Sequence, residues 1–291
     1  MQKKVILIDG NSVINRAFYA VPLLSNDKGE FTNAIYGFLN IMLKLCNDEK
    51  PDNLVVAFDM PIPTFRHKIF SEYKAQRKEK PQELCSQFDT LKKLLKKMKI
   101  SYCEKRGYEA DDLLGTLAKI FEANDFKVII FSGDSDMLQL INKNIVVFMP
   151  KSVNKSINIA VYGEKEVWAK YGVSPKEFID VKALMGDKSD NIPGIRGIGE
   201  KHAIRIISEY KSIENAVASI KSIKKPDLQE KNLKNNSDRA LFFKKLITID
   251  TNVPIEINIE DTKLHSLFNT ESLEELERLN LNSIIKRLRI S

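Results

Sequence analysis

Nine carboxylates in this 291-residue chain stand where strand or helix ends could bring them together. Asp9 follows the run Val5-Ile6-Leu7-Ile8, and Asp59 follows Leu54-Val55-Val56-Ala57-Phe58. Asp134 and Asp136 come after Val128-Ile129-Ile130-Phe131, across Ser132-Gly133. Glu109, Asp111 and Asp112 open a segment in which Leu113, Leu114, Leu117, Ala118 and Phe121 recur at helical spacing. Asp187 and Asp190 lie three apart, and a helical turn there would project both from one face. Crowded carboxylates raise one another's pKa and destabilise a fold unless a cation relieves them. Hard divalent ions such as Mg2+ do so through oxygen ligands while keeping several waters. Two such ions ~4 Å apart can generate hydroxide and clamp a phosphoryl group in line. The chemistry suggested is metal-assisted phosphodiester hydrolysis. Each acid alone reads more simply as a helix cap, a turn former or a solvated charge; their joint placement at strand ends reverses that order.

The elements that must position these acids are short β-branched strands alternating with amphipathic helices. The three runs above and Ile145-Val146-Val147-Phe148 are apolar enough for strands buried on both faces of a parallel sheet. Ile35, Phe38, Leu39, Met42, Leu43 and Cys46 mark a helix between two of them, so an α/β sheet with crossover helices is expected. In such sheets ligands bind outside the carboxyl ends of the strands, where these acids fall. After about Gly163 the pattern turns helical, over Glu164–Tyr171, Pro175–Met185, Lys201–Tyr210 and Ile213–Ser219. Lys224 to Ser237 reads as a linker or long exposed turn, and the last fifty residues read as mixed, ending in a Leu- and Glu-rich helical run.

Two basic elements flank the acids. The segment Pro61–Pro81 is basic, aromatic and far longer than an ordinary strand-to-helix connection, which favours a lid over a disordered loop. Within it, a helix would put Lys74, Arg77 and Lys78 on one side, suited to gripping phosphate, beside Tyr73. In Ile192-Pro193-Gly194-Ile195-Arg196-Gly197-Ile198-Gly199-Glu200-Lys201, Gly197 and Gly199 allow a tight turn before a helix N-terminus. A DNA phosphate could sit there, with Lys201 adding charge; an ordinary glycine turn is the equal alternative. A dinucleotide fingerprint or nucleotide phosphate loop is poorly matched. Leu91–Lys99 reads as an amphipathic helix with a solvated lysine face, DNA contact being the minority reading.

The formal charge of +7 favours polyanionic partners, and no apolar run approaches the ~20 residues of a membrane span. The start is too weakly apolar for a signal peptide, and three irregularly spaced cysteines with three histidines make a structural zinc site improbable. A reducing cytoplasm is expected.

Taken together the motifs resemble the 5′ nuclease (flap endonuclease) domain of bacterial DNA polymerase I. The matching pieces are Ile8–Ser12 through Arg16, Ala57–Asp59, Phe65–His67, Tyr73–Arg77, Gly107–Asp112, Ser132–Asp136, and Gly186–Gly194 running into Gly197–Lys201. Their order and spacing cover essentially the whole chain, and all nine expected acids are present.

The resemblance implies an α/β fold with a mostly parallel central sheet flanked by helices, a helical arch at about residues 61–90, and a C-terminal helix-three-turn-helix region. The expected division is 1–180 for catalysis and 181–291 for DNA binding, with the hairpin-like turn at 192–210. It implies 5′-3′ exonuclease and 5′-flap cleavage of DNA in replication and repair, with two Mg2+ ions (Mn2+ as a substitute) and K+ at the glycine turn. Asp9, Asp59, Glu109 and Asp111 would hold the first metal and Asp134, Asp136, Asp187 and Asp190 the second, with Asp112 near both and, with Lys74 and Arg77, acting in catalysis. Tyr73 would stack on a base, Arg16, Lys74 and Arg77 would contact phosphate, and Lys78, Gly197, Gly199 and Lys201 would bind DNA. The partner is DNA with 5′ flaps or ends at single-strand/double-strand junctions; a monomer in the nucleoid-containing cytoplasm is expected, with a linked polymerase region or none. A ribonuclease of the PIN type and a non-catalytic nucleic-acid-binding module are the alternatives, disfavoured by the long arch and by the full acidic set.

Overall fold

A computed structural model describes residues 2–153, 156–223, 225–265, 267 and 269–289. Six strands run in chain order: β1 (Lys4–Asp9), β2 (Asn53–Ala57), β3 (Ser101–Cys103), β4 (Lys127–Phe131), β5 (Ile145–Val153) and β6 (Ser156–Tyr162). They form one sheet in the order β3-β2-β1-β4-β5-β6, all pairings parallel except β5 with β6. The chain steps outward from β1 through β2 to β3, then returns to add β4 on β1's other side, so the crevice at β1 is a topological switch point.

Helices α1 (Gly10–Ala20), α2 (Asn33–Glu49), α3 (Phe65–Ile69), α4 (Gln82–Lys97) and α5 (Ala110–Ala123) connect the strands. Then follow α6 (Glu164–Tyr171), α7 (Pro175–Met185), α8 (Glu200–Tyr210), α9 (Ile213–Ser222), α10 (Leu228–Asn235), α11 (Ser237–Ile247), α12 (Thr270–Arg278) and α13 (Asn282–Leu288). Alternating side chains of β1 serve two cores. Val5 and Leu7 pack with Val55, Leu113, Leu117, Val128 and Ile130 on one face, and Ile6 and Ile8 pack with Phe38, Leu39, Val56, Leu94 and Phe131 on the other. That two-sided burial is what the continuous apolar runs required.

Four of the six strands match the apolar runs. β3 is three residues without such a run, and β6 is an antiparallel edge strand with Asn158 and Val161 exposed. The stretch expected as a linker between Lys224 and Ser237 contains α10, whose start is fixed by Asp227 and Glu230 bonding each other's backbone N–H groups at 2.8 Å each. Among the described residues no helix is long and apolar enough to cross a membrane, and the three cysteines are unpaired thiols.

Candidate active site

The acids meet where the topology predicts. Asp9 is the last residue of β1, paired in register with Ala57, two residues before Asp59; Ile8 pairs with Phe131, three residues before Asp134. Gly10 lets α1 begin against the Phe58 ring, since a Cβ there would lie 2.4 Å from a ring carbon. Asp9 accepts the Ser12 N–H at 2.9 Å and the Ser132 hydroxyl at 2.6 Å, joining β1 to the turn after β4. Asp59 accepts the Ala110 N–H at 2.7 Å, tying the start of α5 to the end of β2. Asp9, Asp59, Asp111, Asp134 and Asp187 line one open cleft of about 1190 Å³, together with Arg16, Lys74, Arg77, Lys78 and Lys182.

These charges oppose one another. Burial raises Asp9 to about 6 against its Ser12 and Ser132 bonds, with Asp59 and Asp134 adding to the rise. Asp111 is pushed well above the usual carboxylate range by burial and by Asp134 and Asp9. Asp136 rises to about 7 through burial and Asp134, although Lys182 pulls it down. Asp187 is drawn down to about 2: its burial acts upward, but the Lys182 ammonium at 2.5 Å and bonds from Ser189 prevail.

Cations of the chain itself relieve part of this repulsion. Lys182, on α7 and 3% exposed, bridges Asp136 and Asp187. Lys74 bonds Glu109 at 2.9 Å, and Arg77 bonds Asp190 at 2.8 Å. The buried Tyr73 hydroxyl donates to Asp190 at 2.8 Å and lies 3.0 Å from Glu109.

The basic segment therefore departs from the expected arch. Only Phe65–Ile69 of Pro61–Pro81 is helical, and residues 71–76 form successive turns, with Lys74 at φ +56°. Lys74, Arg77 and Lys78 consequently do not share a helical face. The segment lies down on the loop after α7: the Lys74 N–H bonds Asp190 O at 3.0 Å, Asn191 bonds Glu72 O at 2.8 Å, and Gln76 bonds Lys188 O. Tyr73 is 3% exposed, so it presents no ring face for base stacking in this arrangement.

Three acids also depart from expectation. Asp187 and Asp190 lie on a turn closed by mutual Asp187–Ile192 backbone bonds of 2.8 Å, and they diverge, one towards Lys182 and the other towards Tyr73 and Arg77. Asp112 does not line the cleft. It is fully buried in a bidentate pair with Arg66, at 2.7 Å on both arms.

The glycine turn is seated by the buried Ile192, Ile195 and Ile198, with Gly197 at φ +81° and Gly199 capping α8. Gly197, Gly199 and Lys201 are exposed beyond the cleft, whereas the neighbouring Glu200 reaches its lining. Sequence reasoning overlooked Lys182; its signal was a lone lysine within the buried run Val181–Leu184, five residues before Asp187.

The donor set suits a hard divalent cation: it is all carboxylate oxygen, and the charge on Asp9 and Asp111 is incompletely balanced by the chain. Among the described residues no three acids form a ready-made cage; Mg2+, which retains several waters, does not require one.

Comparison with known proteins agrees with this geometry. Residues 4–172 match the family model described as 5′-3′ exonuclease, N-terminal resolvase-like domain, and residues 173–270 match 5′-3′ exonuclease, C-terminal SAM fold. The chain is 43% identical over 288 residues to DNA polymerase I of Bacillus subtilis, covering 99% of this chain and 32% of that protein. It is 38% identical over 286 residues to the 5′-3′ exonuclease of Aquifex aeolicus, covering 98% of this chain and 95% of that one. The chain thus spans about a third of the length of the DNA polymerase I relatives it matches. Similar folds are T5 5′-exonuclease with bound zinc (TM-score 0.69, 21% identity, 99% and 97% of the two chains) and the Rad2 catalytic core with DNA (TM-score 0.57, 18% identity, 99% and 93%).

Proposed function

The chain belongs to the 5′-3′ exonuclease family, and from that premise we propose that it is a divalent-metal-dependent 5′ nuclease that hydrolyses DNA at 5′ ends and at the base of 5′ flaps, in replication and repair. One observation carries the reading: Asp9, Asp59, Asp111 and Asp134 converge on one basic-rimmed cleft, and their crowding adds to the burial that holds Asp9 and Asp111 above the usual carboxylate range. The relatives' names and the DNA- and metal-bound structural neighbours support the substrate and the cofactor.

Asp9, Asp59, Asp111 and Asp134 would hold metal directly. Glu109, Asp136, Asp187 and Asp190 form a second tier, now paired with Tyr73, Lys74, Arg77 and Lys182. Two Mg2+ ions, with Mn2+ as a substitute, would supply an ionised water and a clamp on the phosphoryl oxygens. The chain's own share is electrostatic and positional. Arg16, Lys74 and Arg77 line the cleft, where they would contact phosphate, with Lys78 beside them. Displacing Lys74 and Arg77 from Glu109 and Asp190 exchanges an internal ion pair for a phosphate contact. The glycine turn before α8 would hold the duplex through backbone N–H groups at Gly197 and Gly199, with Lys201 and K+ there. The catalytic and DNA-gripping parts would divide near residue 180, and the chain would act as a monomer, whether or not it is linked to a polymerase region.

A 5′-flap duplex incubated with Mg2+ should be cut near its junction, and EDTA should abolish cutting. Equal cleavage in EDTA would refute the reading, and preferential cleavage of single-stranded RNA would favour the PIN-type alternative.

A further inference from the structure

We infer that Asp112 is a positioning residue and not a metal ligand: with Arg66 it forms a buried joint that sets Glu109 and Asp111 towards the cleft and fastens them to the chain segment after α11. The inference rests on the metal-site reading above and concerns which of the clustered acids takes part.

Asp111 and Asp112 are successive residues of α5, so their side chains leave the helix about 100° apart. Asp111 lines the cleft. Asp112 turns inward and is 0% exposed. Each of its oxygens accepts two bonds: Oδ1 from Arg66 Nη2 at 2.7 Å and the Asp250 N–H at 2.9 Å, and Oδ2 from Arg66 Nη1 at 2.7 Å and the Glu109 N–H at 3.1 Å. With two bonds on each oxygen, none is left for a metal ion.

Arg66 completes the joint. It is 2% exposed, donates from Nε to Leu246 O at 2.8 Å and from Nη2 to Thr248 O at 3.0 Å, and lies 3.5 Å from Glu109. The planar fork therefore connects the start of the basic segment, the first turn of α5 and residues 246–250. A lysine could not reproduce those simultaneous directions. Held by its own N–H on Asp112, Glu109 can reach Tyr73 and Lys74, and the same first turn brings Asp111 into the cleft beside Asp9 and Asp134.

The test combines calorimetric Mn2+ titration, thermal melting and single-turnover cleavage of a 5′-flap duplex at saturating Mg2+, well below every variant's Tm. Asp112→Asn and Arg66→Lys should each lower Tm, leave the number of bound ions unchanged, and slow the maximal single-turnover rate roughly 10- to 100-fold with little change in the enzyme concentration that gives half of it. The double variant should be no slower than the worse single, because both changes open one joint. Asp111→Asn is the control and should lose a bound ion. Loss of an ion in Asp112→Asn, single-variant losses that multiply, or unchanged cleavage by folded Asp112→Asn would each overturn the inference. Should Asp112→Asn fail to fold, Arg66→Met/Asp112→Leu, which removes both charges together, carries the same measurements. An Asp111→Asn variant that keeps all its ions would instead sink the metal-site reading, leaving the joint to be judged by Tm and rate.

Discussion

The floor and the roof of the cleft are built by different physics. The floor acids are carried on the ends of β1, β2 and β4, strands buried on both faces and locked in register, so their convergence follows from the topology. The roof, residues 61–81, has one five-residue helix, which Arg66 fixes to Asp112, while its tip is held by hydrogen bonds and ion pairs to Glu109 and to the loop after α7. The floor is fixed by the sheet, whereas Lys74 and Arg77 at the tip of the roof occupy Glu109 and Asp190, acids that an entering cation would contest.

The sharpest way to break that contrast is at the floor. Asp134→Ala should lower turnover by about 10³-fold, the rate equivalent of ~4 kcal/mol of lost charge stabilisation, while salt-sensitive DNA binding remains. Parallel loss of binding would show that the floor also grips substrate. At the roof, Lys74→Ala should slow single-turnover cleavage by about 10²-fold and change duplex affinity little; a pure affinity loss would remove Lys74 from the cleavage step.

The third prediction concerns protons. Asp9 and Asp136 have folded-state pKa values raised to about 6 and about 7, so each favours the folded state most when protonated, below the ordinary value of 3.8. Their contribution fades as pH rises through 4 to 7, and the metal-free protein should lose a few kcal/mol of stability over that window. Asp187, drawn down to about 2, acts oppositely and only below about pH 4. Melting in EDTA from pH 4 to 7.5, repeated with Mg2+, should show the fall in the first series and its removal in the second. The smallest effect belongs to Tyr73→Phe, which deletes the hydroxyl between Glu109 and Asp190; it should cost about 1–3 kcal/mol without metal and less with it. An equal cost in both would mean that the roof does not yield to cations.

Most of the floor was legible from sequence because it depends on strand ends, and apolar runs followed by Asp mark those ends. Helices α6 and α7 were readable to the residue for a similar reason, since Ser174 with Glu177 and Gly172 punctuate them. The roof was not, because its shape depends on long-range partners: nothing near Tyr73 in sequence announces Glu109 and Asp190. β3 is too short to leave a pattern, and α10 is so charged that only Asp227 and Glu230 betray it. Asp112 opens the same helix as Glu109 and Asp111, and only its distant partners Arg66 and Asp250 reveal that it turns inward.

The loop from Gly186 to Gly194 closes on itself. Gly186 (φ +83°) and Gly194 (φ +65°) touch backbone to backbone, so that a Cβ on the first would lie 2.5 Å from Ile192 O and one on the second 2.4 Å from Gly186 N. Asp187 stands at one end of this knot and the turn leading into α8 at the other, and neither can shift without the other. A duplex grasped through that turn, as proposed above, would be held at a fixed offset from Asp187. The point of scission would then be measured from the grip, as by a gauge, with no need to read the bases in between.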